Sequence, residues 1–345
     1  MRFLKEASVT DKKVLVRVGF DVPVDSTGQI SDDLRIQESL PTIEYLRKNN
    51  AKIILLSHRG RPNGQLDPED SLLPVAQYLE SLLSEPVEFI TEKMEEKVSY
   101  LIGELQDSEI IMLENLRFHA GEEENSPEFA KWLASFGEVY VNDAFSDCHR
   151  AHSSMVGLPK LLPSFAGLAL EKEVTTLTTL VKNPIHPVVA IIGGAKLESK
   201  LPVITHLLPL VDSILIGSKF LGENLPQSEK IITPIDTIQD SAGSHMDIGP
   251  KTISMYTDIL KGAKTIFWSG PLGMFEEEKY SQGTQSIAQY VGDSSAKTIV
   301  GGGDTIAALR KFGQLEKIKY TSTGGSAMLD FIAGKKLPGL EALNT

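Results

Sequence analysis

Two short stretches of the chain concentrate groups suited to binding phosphate. Ser57-His58-Arg59-Gly60-Arg61-Pro62 sets an imidazole beside two guanidinium groups, and His149-Arg150-Ala151-His152 repeats the theme. Arg35 and the run Glu114-Asn115-Leu116-Arg117-Phe118-His119 add further donors. A guanidinium presents parallel N–H donors that match the oxygens of a carboxylate or phosphate, so together these segments suit a compact polyanion. Any one of them alone reads better as a solvated surface charge, whereas four strand ends in succession favour function. Later the chemistry changes to glycine: Gly193-Gly194-Ala195-Lys196, Gly217-Ser218-Lys219, Ser269-Gly270-Pro271-Leu272-Gly273, Gly301-Gly302-Gly303-Asp304-Thr305 and Thr323-Gly324-Gly325-Ser326. Glycine lets backbone N–H groups approach phosphate oxygens closely, and a following helix N-terminus adds favourable partial charge. Lys196 and Lys200 offer cations, and Asp304 offers a hard oxygen ligand for Mg²⁺. A single glycine loop is only a tight turn; a series of them in one half of the chain points to a nucleotide.

Each of these segments follows a short apolar run of β character. The runs are 14–18, leading to Gly19-Phe20-Asp21, then 52–56, 110–113 and 138–141, and in the second half 188–192, 213–216, 264–268, 298–300 and 319–322. Amphipathic stretches alternate with them: 39–49 and 72–83, then 203–211, 253–260, 284–291 and 306–312. Strand–helix alternation predicts an α/β fold of doubly wound, Rossmann-like parallel sheets, with ligands at the carboxyl ends of the strands. Pro159, Pro163 and Gly167 interrupt the pattern, 171–181 reads as a connecting helix, and Asn183-Pro184 ends it. The expected organisation is an N-terminal domain 1–168, a hinge helix 169–182 and a second domain 183–332.

A chain of 345 residues with 41% hydrophobic and 23% charged residues has the balance of a two-domain globular protein. Its net charge of −12 argues against a nucleic-acid partner, although local arginines can still build a positive pocket. No apolar run has membrane-spanning length, and the first residues lack the apolar core of a signal peptide. Cys148 is the only cysteine, which excludes an intramolecular disulfide and agrees with a cytoplasmic location. Gly-x-x-x-x-Gly-Lys-[Ser/Thr], Gly-x-Gly-x-x-Gly after a strand, His-Glu-x-x-His and Gly-x-Ser-x-Gly are all missing, and with them the P-loop kinase, dehydrogenase, zinc protease and serine hydrolase signatures.

In order along the chain, the segments 14–24 (Val-Leu-Val-Arg-Val-Gly-Phe-Asp-Val-Pro-Val), 32–36, 56–62, 113–118, 142–152, 193–200, 247–252 (Asp-Ile-Gly-Pro-Lys-Thr), 268–276, 301–305, 322–325 and 336–339 resemble phosphoglycerate kinase over almost the whole length. The resemblance implies reversible phosphoryl transfer between 1,3-bisphosphoglycerate and Mg·ADP, giving 3-phosphoglycerate and ATP. It implies that Gly19, Phe20, Asp21, Arg35, His58, Arg59, Gly60, Arg61, Arg117 and Arg150 hold the triose acid. It places the nucleotide on Gly194, Lys196, Lys200, Gly217, Ser269, Pro271, Glu276, Gly301, Gly302, Gly303, Asp304 and Thr305, with Asp304 as the magnesium ligand. Arg35, Lys196, Lys200 and Gly302 are the implied catalytic set. The tail 333–345 is expected to fold back onto the first domain, and a large hinge motion favours a monomer.

The sequence departs from the family pattern in places. Gly19 and Asp21 stand where the family usually has Asp and Asn, Ser269 replaces Asn, and Ser326 replaces a glycine. Chain is missing between Gly222 and Thr233 and between Asp240 and Asp247, on the side that supports the base. These departures leave open a catalytically weak or repurposed homologue that binds a nucleotide or a phosphorylated acid.

Overall fold

The computed structural model describes residues 1–91 and 95–344. The chain divides into two compact units, one formed by Met1–Val174 with the tail from Lys336, the other by Thr175–Lys335. No helix among the described residues is long and apolar enough to cross a membrane.

The first unit is a parallel six-stranded sheet of order β3-β4-β2-β1-β5-β6. Its strands are β1 (Lys13–Arg17), β2 (Lys52–Leu56), β3 (Val87–Ile90), β4 (Ile110–Leu113), β5 (Val139–Asn142) and β6 (Ser164–Ala166). β1, β2 and β4 read as continuous apolar runs because helices cover both faces of a parallel sheet. The helices are α1 (Leu34–Lys48), α2 (Leu73–Leu83), α3 (Glu95–Glu104), α4 (Ala120–Glu123), α5 (Pro127–Ala134) and α6 (Leu168–Lys182). Ile36, Ile43, Val75 and Leu79 pack with Val14, Val16, Ile53 and Leu55 in one apolar cluster. β1 lies between β2 and β5, with Arg17 in register with Leu56 on one side and Asn142 on the other. The chain reverses its winding there, so the loops after β1, β2 and β5 open into one crevice.

The second unit repeats the plan, with order β14-β13-β12-β7-β8-β9. Its strands are β7 (Val188–Ile192), β8 (Ser213–Ile216), β9 (Ile231–Ile232), β12 (Thr265–Ser269), β13 (Lys297–Gly301) and β14 (Tyr320–Ser322), and β10 (Thr237–Gln239) with β11 (His245–Ile248) forms a separate antiparallel hairpin. α7 (Leu197–Leu207), α8 (Pro250–Lys261), α9 (Gln282–Asp293), α10 (Gly303–Lys311) and α11 (Ser326–Ile332) pack around it. Ile191, Ile266, Trp268, Val300, Tyr256 and Leu309 form its core. Ser269 pairs in register with Ile192 and with Gly301, which brings three of the glycine loops to one strand-end crevice.

Two helices begin earlier than the apolar spacing predicts. α1 starts at Leu34 rather than near 39, and α7 starts at Leu197 rather than near 203, where the interior Pro202 hides the continuity of the pattern. Proline costs a helix one N–H but is compatible with a turn whose other face is buried. Ile36 and Lys200 are the buried residues that extend those faces. The tail helix α12 (Pro338–Ala342) docks in the first unit, where Gly339 donates to the Cys148 carbonyl at 2.9 Å. A side chain at Gly339 would lie 2.9 Å from the Cys148 Cα, so the contact requires glycine.

Candidate active site

In the first unit the strand ends build a cationic cluster around a residue the sequence reading passed over. Arg17, the last residue of β1, is fully buried. Its Nη2 lies 2.7 Å from His58 Nδ1, its Nε donates to Ser154 Oγ at 3.0 Å, and its Nη1 donates to the Val18 carbonyl. A guanidinium only donates, so His58 Nδ1 must accept and a neutral imidazole carries its proton on Nε2. Burial pulls the His58 pKa well below 6.5, with Asp147 opposing and the neighbouring arginines adding to the fall. His58 is therefore a neutral donor whose Nε2–H faces Asp147 Oδ1 at 3.7 Å and Asp21 Oδ2 at 3.9 Å.

The other predicted residues divide between this cluster and the scaffold behind it. Arg35, in the first turn of α1, donates to the Asp21 carbonyl at 2.6 Å, and Asp21 Oδ1 accepts from the Gly60 N–H at 3.0 Å. The Asp21 carboxylate thus ties the loops after β1 and β2 together instead of standing as an isolated negative charge. Gly60 has φ near +63°, and a Cβ there would fall 2.0 Å from the Asp70 carboxylate, so no other residue fits. Arg117 is buried, donates to the Gly60 carbonyl at 2.7 Å and pairs with Glu123 at 3.3 Å. Arg150 is partly exposed beside Asp147, and Arg61 is exposed at the rim. Arg59 belongs to the scaffold: its guanidinium donates to the carbonyls of Glu69 and Ser71, fixing the turn after β2. Phe20 is buried and sets that loop through its N–H to Ser57 Oγ at 3.1 Å. His119 stacks against Phe129 and Trp132, a structural place.

Gly19 lies against the loop after β5. A Cβ on it would sit 3.0 Å from Ser146 Oγ, a tight contact. Behind the cluster, buried Glu122 accepts from the Ser154 N–H at 2.9 Å and the Ser154 hydroxyl at 2.5 Å. Burial raises its pKa, against Arg17 and those hydrogen bonds. Arg17, Glu122, Asp147 and Ser154 were not among the predicted site residues. Arg17 was hidden inside an apolar run, and the others gain meaning only from the fold.

In the second unit the glycine loops interlock through their backbones. Gly193 N–H donates to the Ser269 carbonyl at 3.0 Å and Gly194 N–H to the Pro271 carbonyl at 2.8 Å. A Cβ on Gly193 would lie 2.1 Å from the Pro271 carbonyl oxygen, and one on Gly270 (φ near +96°) would lie 2.1 Å from the Gly193 carbonyl oxygen. The two loops interlock only because neither has a side chain. Thr305 Oγ1 receives the Gly270 N–H at 2.7 Å and donates to the Gly301 carbonyl at 3.2 Å, which pins Gly302 and Gly303 at the start of α10. Gly217 approaches the same loops, since its Cβ would lie 3.0 Å from the Gly193 Cα.

Lys200 projects from α7 and donates to Ser269 Oγ at 2.6 Å. Burial lowers its pKa from 10.5 to about 8, with Asp304 pulling the other way. Lys196 is exposed at the N-cap of α7. A cavity of about 440 Å³ opens beside these loops, lined among others by Gly194, Pro271, Glu276 and Asp304, and by Lys219 and Met246, which the sequence reading did not assign. Met246 arrives on the β10–β11 hairpin, which lies in the shortened part of the chain. The exposed Asp304 carboxylate on the cavity wall fits one ligand of a magnesium ion that shares phosphate oxygens. No cluster of three or more His, Cys, Asp or Glu residues among those described could hold a metal by protein groups alone.

One pH consequence follows for Lys200. For a nucleotide site that relies on this ammonium, kcat/KM for the nucleotide is expected to fall as pH rises through about 8. The Lys200→Arg variant, protonated at every working pH, should lack that limb in a pH–rate profile. Stability moves the opposite way. Between about 8 and 10.5 the unfolded chain holds the proton that the folded one has lost, so this group's contribution to stability rises with pH across that window.

The phosphoglycerate kinase family model matches residues 4–222 and 218–335. A phosphoglycerate kinase from Coprothermobacter proteolyticus is 39% identical over 387 aligned positions, covering 99% of this chain and 98% of that one. One from Thermosipho africanus is 40% identical and covers 99% and 97%. Solved phosphoglycerate kinase structures from Coxiella burnetii and Pyrococcus horikoshii superpose with TM-scores of 0.85 and 0.87 at 33% and 31% identity, each over at least 98% of both chains. Likeness of this extent favours an active kinase over a binding-only homologue. The chain belongs to the phosphoglycerate kinase family, the phosphotransferases of glycolysis that act on a carboxyl acceptor.

Proposed function

We propose that the chain moves a phosphoryl group reversibly from the acyl phosphate of 1,3-bisphosphoglycerate to Mg·ADP, leaving 3-phosphoglycerate and forming ATP. The observation that supports it best is that each sheet of this one chain ends in a complementary site: clustered arginines in the first, interlocked glycine loops with a buried lysine in the second.

Phosphoryl transfer asks little covalent chemistry of a protein and depends on positioning and charge neutralisation. Arg61, Arg117 and Arg150 hold the phosphate of the acid, His58 donates Nε2–H, and Arg35 faces the reacting carboxyl group. Lys200 and Lys196 offset charge on the transferring oxygens, and the N–H groups of Gly302, Gly303 and Asp304 receive the nucleotide's phosphates at the start of α10. The attacking carboxylate carries no proton, so no general base is needed. Magnesium, held by Asp304 and phosphate oxygens, would supply further charge neutralisation when bound. Direct transfer requires the ligands to meet, and we place the hinge in α6, within which the chain passes from one unit to the next. The same reading takes the protein as a cytoplasmic monomer.

A coupled assay tests this. ATP, Mg²⁺ and 3-phosphoglycerate are supplied, with a downstream dehydrogenase reporting acyl phosphate. Turnover well above that of the folded Arg35→Ala variant is expected, and equal signals would remove the assignment.

A further inference from the structure

We propose that Asp147 is a positioning residue of the acid-phosphate site, an internal counter-anion that sets His58 and Arg150 for the ligand and tempers the charge of the arginine cluster. It rests on the reading of this cluster as the site of the phosphorylated acid.

Asp147 ends the short turn Phe145–Asp147 that follows β5, and only 5% of it is exposed. One carboxylate oxygen lies 3.4 Å from Arg17 Nη2, and the other lies 3.7 Å from His58 Nε2 and 3.9 Å from Arg150 Nε. Three cluster members from three separate strand ends therefore converge on one carboxylate. Burial pushes its pKa up, but His58 beside it and then the guanidinium groups of Arg17, Arg35 and Arg117 outweigh this and hold it well below the usual carboxylate range. It stays charged at any working pH.

The contacts are electrostatic rather than closed hydrogen bonds. Asp147 Oδ2, Arg150 Nε and Arg117 Nη2 are buried without a hydrogen-bond partner. A network built only for stability would satisfy these valences, since each buried unpaired group carries a desolvation cost. Here donors are held at fixed places with bonding capacity in reserve, as expected of a site poised for a ligand or its bridging water. Ser146, next to Asp147, lies against Gly19: a Cβ there would stand 3.0 Å from its Oγ. Gly19 and Asp147 belong to one local construction.

The inner carboxylate also limits what binds. Bare clustered arginines attract any small dianion, whereas one negative charge among them weakens that general attraction. A ligand that makes many directed contacts then gains relative to an inorganic ion.

The test compares Asp147→Asn and Asp147→Glu with wild type in the coupled assay, with inorganic sulfate as competitive inhibitor and thermal unfolding as the folding control. For Asp147→Asn the sulfate inhibition constant should fall about fivefold or more, the size of one charge a few ångströms away, and kcat should fall at least as much while KM for ATP stays unchanged. Asp147→Glu should keep the sulfate constant within about twofold, because the charge remains, and lose kcat because the longer arm displaces His58 and Arg150. An unchanged sulfate constant and kcat in folded Asp147→Asn would overturn the proposal. If that variant does not fold, wild-type kcat and KM in Asp147→Glu would overturn it. Wild-type turnover reports separately on the acid-phosphate reading, so the two failures are distinguishable.

Discussion

Lys200→Ala should reduce kcat by about 10²- to 10³-fold, the usual effect of removing one preorganised charge-stabilising donor, with KM for 3-phosphoglycerate little changed. The argument starts from burial. Lys200 is only 9% exposed, and its ammonium meets one side-chain partner, Ser269 Oγ at 2.6 Å. Holding a charge there without a salt bridge is costly, as its pKa of about 8 records. A group kept in that state for stability alone would be better replaced by an apolar one. The same substitution should therefore leave the melting temperature unchanged or higher while activity collapses. Lys200→Arg should recover part of the rate. Steady-state kinetics with parallel calorimetric unfolding checks both halves. A variant that loses activity and stability together would mean that Lys200 serves the fold.

Arg35→Ala is expected to lower kcat/KM for the acid substrate by about 10²- to 10³-fold, again the scale for one lost donor at developing charge, without altering nucleotide affinity. Arg35 leaves the buried face of α1 to Ile36 and Ile43, so its removal opens no core cavity. It donates to the Asp21 carbonyl at 2.6 Å, which fixes the guanidinium beside the loop after β1. Arg35→Lys should restore little, because a point charge cannot reproduce two parallel donors. Kinetics with the acid varied, set against calorimetric titration of ATP, separates the effects. Equal losses toward both substrates would show a general disturbance of the fold.

Much of this was legible before any coordinates. The strand runs 52–56, 110–113, 188–192 and 213–216 coincide with β2, β4, β7 and β8, because strands buried on both faces leave uninterrupted apolar signatures. The edge strands β3, β6 and β9 and the β10–β11 hairpin were missed. They are short, partly exposed or weakly apolar, and periodicity has little to act on there. Arg59 was assigned to the ligand on the strength of its neighbours, and the structure gives its guanidinium to the Glu69 and Ser71 carbonyls. Residue type and position in a loop say what a side chain can bind, and its rotamer decides what it does bind.

By itself the sequence determined the fold class, the family, and the two kinds of strand-end chemistry, cationic loops and glycine loops. These depend on local composition and order, which a linear reading preserves. Tertiary structure alone decided that Arg17 sits under His58 and sets its tautomer, that Asp147 stands among arginines from other strand ends, and that Ser146 lies against Gly19. Those facts depend on β1 lying between β2 and β5, a pairing of segments far apart in the chain. Charges separated by a hundred or more residues become neighbours only when the sheet forms, and burial together with those neighbouring charges then fixes which of them carry protons.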